Sequence, residues 1–266
     1  MPSNSINTIN GFQLSPQQKH LWLLQQLEVD NQPYRVQCSL LIEGKLNYQL
    51  LELVLQKIVE KHEIFRTSFQ TLKGMNIPLQ VIHEGTNISN LSINIHNLIG
   101  IESQKQNAEI ENIFQQQNLK SFDWKSDCVL DLQLVTLSDC DHVLLIAIPA
   151  ICADTVSIHN LVEEISRLYT AYLHEQELSE ETLQYADIAA WQNELFEDEG
   201  EDTEVGRKFW QNQNVFNLVI NKLASEKNSA NKLIFQPKFI NINLNHNTEA
   251  KIKALANQED VSISTI

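Results

Sequence analysis

The stretch "HVLLIAIP", residues 142–149, constrains the fold more than any other part of the chain. Nearly every position is apolar, so no face of it alternates toward water. Such a run predicts a central strand covered on both sides. "DTVSIHNLVEEISRLYTAYL" follows within a few residues, and Ile158, Leu161, Val162, Ile165, Leu168 and Tyr169 are spaced for one helix face. A doubly covered strand that feeds an amphipathic helix requires a layered α/β lobe.

The other elements agree. "LSPQQKHLWLLQQL" predicts a helix with Ser15 as N-cap, Pro16 in its first turn, Gln18 completing a capping box, and an apolar stripe of Leu21, Leu24 and Leu27. "VQCSLLIEG" alternates as a strand, and "LNYQLLELVLQKIVEKHE" predicts a helix with Leu50, Leu53, Val54 and Ile58 on one side. "FRTSFQTL" and "PLQVIHE" predict a strand pair joined through Lys73-Gly74, and "LSINIHNL" a further strand. Residues 102–120 predict a surface helix resting on Ile110, Ile113 and Phe114. "VLDLQLVTL" predicts the strand before the central one, with a tight turn at residues 139–141. "ADIAAWQNEL" predicts a helix, the acidic run 197–204 a loop, "GRKFWQNQ" a short helix, "KLIFQPKFINI" an extended segment, and "NTEAKIKALANQEDVSI" a last helix.

Composition then removes function classes. A formal net charge of −15 with no cluster of Lys and Arg disfavours nucleic acid as a partner. No apolar run approaches the length of a membrane span, and the N-terminal residues lack a signal-peptide pattern, so a cytoplasmic protein without membrane association is expected. Cys38, Cys128, Cys140 and Cys152 form no CxxC pair and are expected to be reduced and mostly buried, and no metal site is expected. With only seven glycines the chain has no phosphate-binding glycine loop.

Four separated pieces, in order, resemble the condensation domains of nonribosomal peptide synthetases. Ser15, Gln18, Leu21 and Trp22 match the family's opening motif, Ser-x-x-Gln-x-x-Leu-Trp. His62, Glu63, Arg66, Thr67 and Phe69 match its second, Arg-His-Glu-x-x-Arg-Thr-x-Phe, with Lys61 in place of the first arginine. Tyr185, Asp187, Ala189, Trp191 and Gln192 match its fourth, with Ile188 in place of a second tyrosine. Phe209-Trp210 fits the Tyr-Trp that follows.

The third motif, His-His-x-x-x-Asp-Gly, carries the family's chemistry. Here the window reads Pro149, Ala150, Ile151, Cys152, Ala153, Asp154, Thr155, and only the aspartate remains. The resemblance implies that an amine attacks a carrier-bound thioester, with the second histidine taking or positioning a proton. Alanine can do neither, and losing a general base typically costs about 10²–10⁴ in rate. No catalytic residue is therefore assigned. Asp154 and Ser157 also match the end of the Asp-x-x-x-x-Asp-x-x-Ser pattern of the family's heterocyclisation subgroup. The resemblance makes Asp154 structural, with Arg66 as its ion-pair partner, while Asp154 equally suits the N-cap of the next helix. Asp131 falls where the family often has an arginine, Cys152 reads as core, and His159 reads as a surface or core histidine.

The resemblance implies a chloramphenicol-acetyltransferase-like lobe, a mixed sheet layered with helices. It divides the chain into an N-terminal tail (1–13), a lobe (14–195), an acidic loop (196–206) and the start of a connection to a second lobe (207–266). It implies no directly bound cofactor; phosphopantetheine arrives on peptidyl or aminoacyl carrier proteins, which with other synthetase domains are the expected partners. Two readings follow: a condensation-like domain impaired by Pro149 and Ala150, or a non-catalytic docking module for carriers or a partner synthetase. Another acyltransferase of the same superfold would equally need the missing histidine.

Overall fold

The computed structural model describes residues 11–27, 34–84, 91–125, 129–176, 182–198, 200–213 and 242–266. The chain divides into two units, Met1–Asn212 and Gln213–Ile266.

The first unit is built on two sheets. Strands β2 (Arg35–Glu43), β7 (Asp141–Pro149), β6 (Asp131–Thr136) and β5 (Ile93–Asn97) lie side by side in that order. The β2–β7 and β7–β6 pairs are antiparallel and the β6–β5 pair is parallel, so the sheet is mixed. As expected from its composition, β7 is central and covered on both faces. Leu144, Ile146 and Ile148 point into a core with helices α2 (Tyr48–Lys61) and α4 (Thr155–Leu173), while Val143 and Leu145 point to a second core shared with α3 (Ser103–Leu119). Strand alternation sends these two sets to opposite faces.

A smaller antiparallel sheet orders β1 (Phe12–Gln13), β4 (Leu79–Ile82) and β3 (Thr67–Gln70). β3 and β4 are the expected pair around Lys73-Gly74, where Gly74 takes φ +92. β1 lies within residues 1–13, expected as the N-terminal tail. Its strand is short, but both residues pair with β4.

Helix α1 (Pro16–Leu27) starts at the expected capping box, with Gln18 N–H donating to Ser15 Oγ at 3.2 Å and Ser15 N–H donating to Gln18 Oε1 at 2.9 Å. Among its residues of described burial the buried positions are Gln18 and Trp22; of the expected stripe Leu21 and Leu24 are half-buried, and Leu23 is exposed. On α2 the core face is Leu51, Val54, Leu55, Ile58 and Val59, one residue on from the expected start at Leu50, and Leu53 faces outward. The helix is capped by Asn47, whose Oδ1 accepts from Leu50 N–H, and its core face packs against α4 and the larger sheet.

The acidic run expected as a loop is largely helical. Helix α5 (Tyr185–Glu197) runs through its first residue and α6 (Glu201–Asn212) begins inside it. Acidic residues favour a helix N-terminus, and Glu204 pairs forward with Arg207 and Lys208 at 3.1 and 3.3 Å. Phe209 and Trp210, expected to open the connection, belong to α6 within the first unit. In the second unit the expected last helix is α7 (His246–Gln258), capped by Asn245, whose Oδ1 accepts from Thr248 N–H at 2.9 Å. The segment expected to be extended, 232–242, lies outside the described residues except for Ile242.

Candidate functional site

The third-motif window is the turn between β7 and α4. Ala150 N–H donates to the Tyr34 carbonyl, and Cys152 N–H donates to that of Pro149, both at 2.8 Å. Asp154 then caps α4: its Oδ1 accepts from Ser157 N–H at 2.8 Å and from Ser157 Oγ–H at 2.7 Å. The hydroxyl bond, then the backbone bond, hold this carboxyl below its ordinary range. Burial pushes the Cys152 thiol far above the ordinary thiol range, which makes it a poor nucleophile. His159 is exposed on α4, facing Glu163 at 3.3 Å.

The expected Arg66–Asp154 ion pair does not form. Arg66 donates to the His83 carbonyl and pairs with Glu63 at 3.3 Å. Arg66 ends the 3-10 turn Glu63–Arg66, and its carbonyl accepts from His83 N–H at 2.9 Å, so acceptors of the neighbouring strand lie within easy reach. Asp154 is exposed and already satisfied by Ser157, so it has no buried charge that needs a cation.

The other motifs act as struts around the window. Gln18, 2% exposed, donates from Nε2 to Gln80 Oε1 at 3.0 Å and to the Ile151 carbonyl at 3.1 Å. Ser15 Oγ and Tyr185 Oη share a hydrogen bond of 2.9 Å, tying the first motif to the fourth. Thr67 Oγ1 donates to the Glu63 carbonyl at 2.6 Å. Phe69 and Trp22 pack edge-on against Trp124. The rest of the fourth motif does not converge on the window: Asp187 is exposed, and Trp191 and Gln192 line a separate apolar cavity of about 580 Å³ with Trp210. Asp131, where the family often has an arginine, is buried and bound by Lys120 at 2.9 Å and Gln133 at 2.7 Å.

One polar cluster lies beside the window. Glu164 of α4 accepts from Lys61 Nζ and binds His62 Nε2, both at 2.7 Å, with Arg167 at 3.8 Å. The His62 bond and then that of Lys61 outweigh the burial of Glu164 and take its carboxyl down to about 2. His62, Glu164 and Tyr185 line a cavity of about 210 Å³ together with Cys152 and Ser157 of the window. His62 was expected from its motif, but Glu164 was not. It sits among helix positions that read as an ordinary polar face, and only the fold brings it to a histidine 102 positions earlier.

Among the described residues no three His, Cys, Asp or Glu side chains gather to hold a metal ion, and no helix is long and apolar enough to cross a membrane. Among the described cysteines, Cys38, Cys140 and Cys152 are free thiols, and Cys140 is exposed at the β6–β7 turn rather than buried.

Comparison with solved structures gives the class. The first condensation domain of the calcium-dependent antibiotic synthetase superposes with a TM-score of 0.66 at 18% identity, covering 76% of this chain and 47% of that one. The X-domain in the complex of X-domain and OxyB from teicoplanin biosynthesis gives 0.65 at 22% identity, covering 78% and 44%. The fold is thus the chloramphenicol-acetyltransferase-like fold of condensation domains. The condensation-domain model matches residues 9–266. Relatives include gramicidin S synthase 2 of Aneurinibacillus migulanus, 30% identical over 81% of this chain, and chondramide synthase cmdD of Chondromyces crocatus, 33% identical over 69%. The chain belongs to the condensation-domain family of nonribosomal peptide synthetases. It spans 4% and 5% of the length of these two relatives, and less than half of each solved chain.

Proposed function

We propose that this chain supplies the N-terminal lobe of a condensation-like domain that joins a carrier-bound acyl thioester to an amine, with catalysis impaired at the third motif. The single observation behind this reading is the chemistry of the window. Pro149 and Ala150 offer no proton acceptor, Asp154 is committed to Ser157, and the Cys152 thiol is held protonated by burial. The partners on this reading are peptidyl or aminoacyl carrier proteins, whose phosphopantetheine brings the thioester, and adjoining synthetase domains. The setting is the cytoplasm. The test is a condensation assay on the full-length protein with both carriers loaded. Pro149→His with Ala150→His and Thr155→Gly should raise the rate of amide formation by about 10²-fold, the typical worth of a general base. An unchanged rate would favour the second reading.

That second reading is a docking module for carrier proteins or a partner synthetase. It is favoured by the similarity to an X-domain that stands in complex with a second protein, OxyB. It also accords with the retention of Gln18, Ser15 and Tyr185 as struts around a window without its histidines. Carrier binding with no turnover, in the native and the histidine-restored protein alike, is its signature.

A further inference from the structure

The cavity beside the window contains one competent proton acceptor, and it is not in the third motif. We propose that His62, held by Glu164, is the catalytic base that remains to this domain; the inference rests on the condensation reading above.

Glu164 is ionised across the working pH range, and an ionised carboxylate only accepts hydrogen bonds. His62 Nε2, at 2.7 Å, must therefore carry the proton between them. In the neutral ring the lone pair then lies on Nδ1. Among the described residues Nδ1 has no hydrogen-bond partner, and the ring lines the cavity that Cys152 and Ser157 share from the window. The ring cannot swing freely: Phe65 packs edge-on against it at 5.9 Å, and Glu164 is itself fixed by Lys61. This arrangement, carboxylate to imidazole to open nitrogen, is what an oriented general base requires.

The surrounding groups are mixed in charge. Lys61 comes from α2, Glu163, Glu164 and Arg167 from α4, Tyr185 from α5 and Cys152 from the window. Tyr185 is engaged with Ser15, and Cys152 holds its proton, so neither competes with His62 for the role.

The step balances without any further reactant. The amine nitrogen attacks the thioester carbonyl, and the C–N bond forms as the carbonyl electrons move to oxygen. His62 Nδ1 takes the proton from that nitrogen. The adduct collapses, the C–S bond breaks, and the leaving sulfur receives the same proton from Nδ1. The products are one amide and one thiol.

The experiment uses the full-length protein with both carriers loaded, comparing the native chain, His62→Gln and Glu164→Gln. The expected result is a slow native rate that falls about 10²-fold in kcat in His62→Gln. KM for the loaded carriers and the melting temperature should stay near native values, and the low-pH limb of the kcat profile should disappear. Glu164→Gln, which removes a positioning residue, should lower kcat with KM unchanged. A His62→Gln protein that is folded and as active as the native one overturns the assignment of His62 and leaves the condensation reading standing. No amide formation by the native protein overturns the assignment of His62, and the condensation reading then stands or falls with the histidine-restored protein. Because Glu164→Gln is expected to lose stability as well, the deciding variant is His62→Gln: a loss of kcat there that is matched by a loss of melting temperature, with the pH profile unchanged, overturns the catalytic role in favour of a structural one.

Discussion

Gln18 Nε2 lies 3.1 Å from the carbonyl oxygen of Ile151, a residue 133 positions away in the middle of the third-motif window. The same amide group donates to Gln80, and its oxygen accepts from Ser15. One buried side chain therefore joins α1, β4 and the window. Replacing it with leucine would strand the Ser15 N–H, the Gln80 Oε1 and the Ile151 carbonyl together. Gln18→Leu should cost about 2–4 kcal/mol of stability, measured by denaturant unfolding. A loss under about 0.5 kcal/mol would mean that water replaces these bonds.

Arg66 and Asp154 have separate partners, so their contributions should add. Arg66→Ala removes the bonds to Glu63 and the His83 carbonyl, and Asp154→Ala removes a helix cap worth about 1 kcal/mol. The double variant should lose the sum of the two within about 0.5 kcal/mol. A coupling energy well beyond that would restore a direct ion pair.

Glu164 links stability to acid. Its carboxyl sits at about 2 in the fold, against an ordinary value of 4.5, so the unfolded chain binds this proton more tightly. The stabilisation is fully present above the ordinary value and is lost as pH falls from there toward the folded one. Allowing for partial solvation, it amounts to about 2 kcal/mol. Denaturant midpoints of the native protein and Glu164→Gln should therefore differ near neutrality and converge in acid. Parallel curves across that range would remove Glu164 from the account.

The cysteines should differ in reactivity. Cys140 is exposed, while burial raises the Cys38 thiol and, far more strongly, that of Cys152. Brief treatment of the native protein with iodoacetamide should alkylate Cys140 before Cys38 and leave Cys152 untouched, read by peptide mass mapping. Early modification of Cys152 would show that the window opens to solvent.

The elements governed by local rules were legible in the sequence. β7 declared itself by being apolar throughout, the capping box at Ser15 and Gln18 by spacing, and α4 by its periodic face. Features set by tertiary geometry were less so. The core face of α2 is set by its packing against α4 and the larger sheet, and its periodicity alone fitted a face one residue off. The partner of Arg66 was assigned by family resemblance, but nearer acceptors in the fold take precedence. Glu164 gave no signal, because its role exists only once α2 and α4 are packed together.

Arg35 stands opposite Pro149 in the β2–β7 register, and its guanidinium reaches past the sheet to the Gln117 and Lys120 carbonyls at the end of α3 and over the ring of Phe122. The first position of the third motif is thus anchored, through one strand pairing, to the far end of a helix on the opposite face from α4. Lys120, at that end of α3, also holds Asp131 of β6 through its ammonium. The window is less a hinged loop than one end of a beam, and substitutions at the α3 terminus belong among those that tune it.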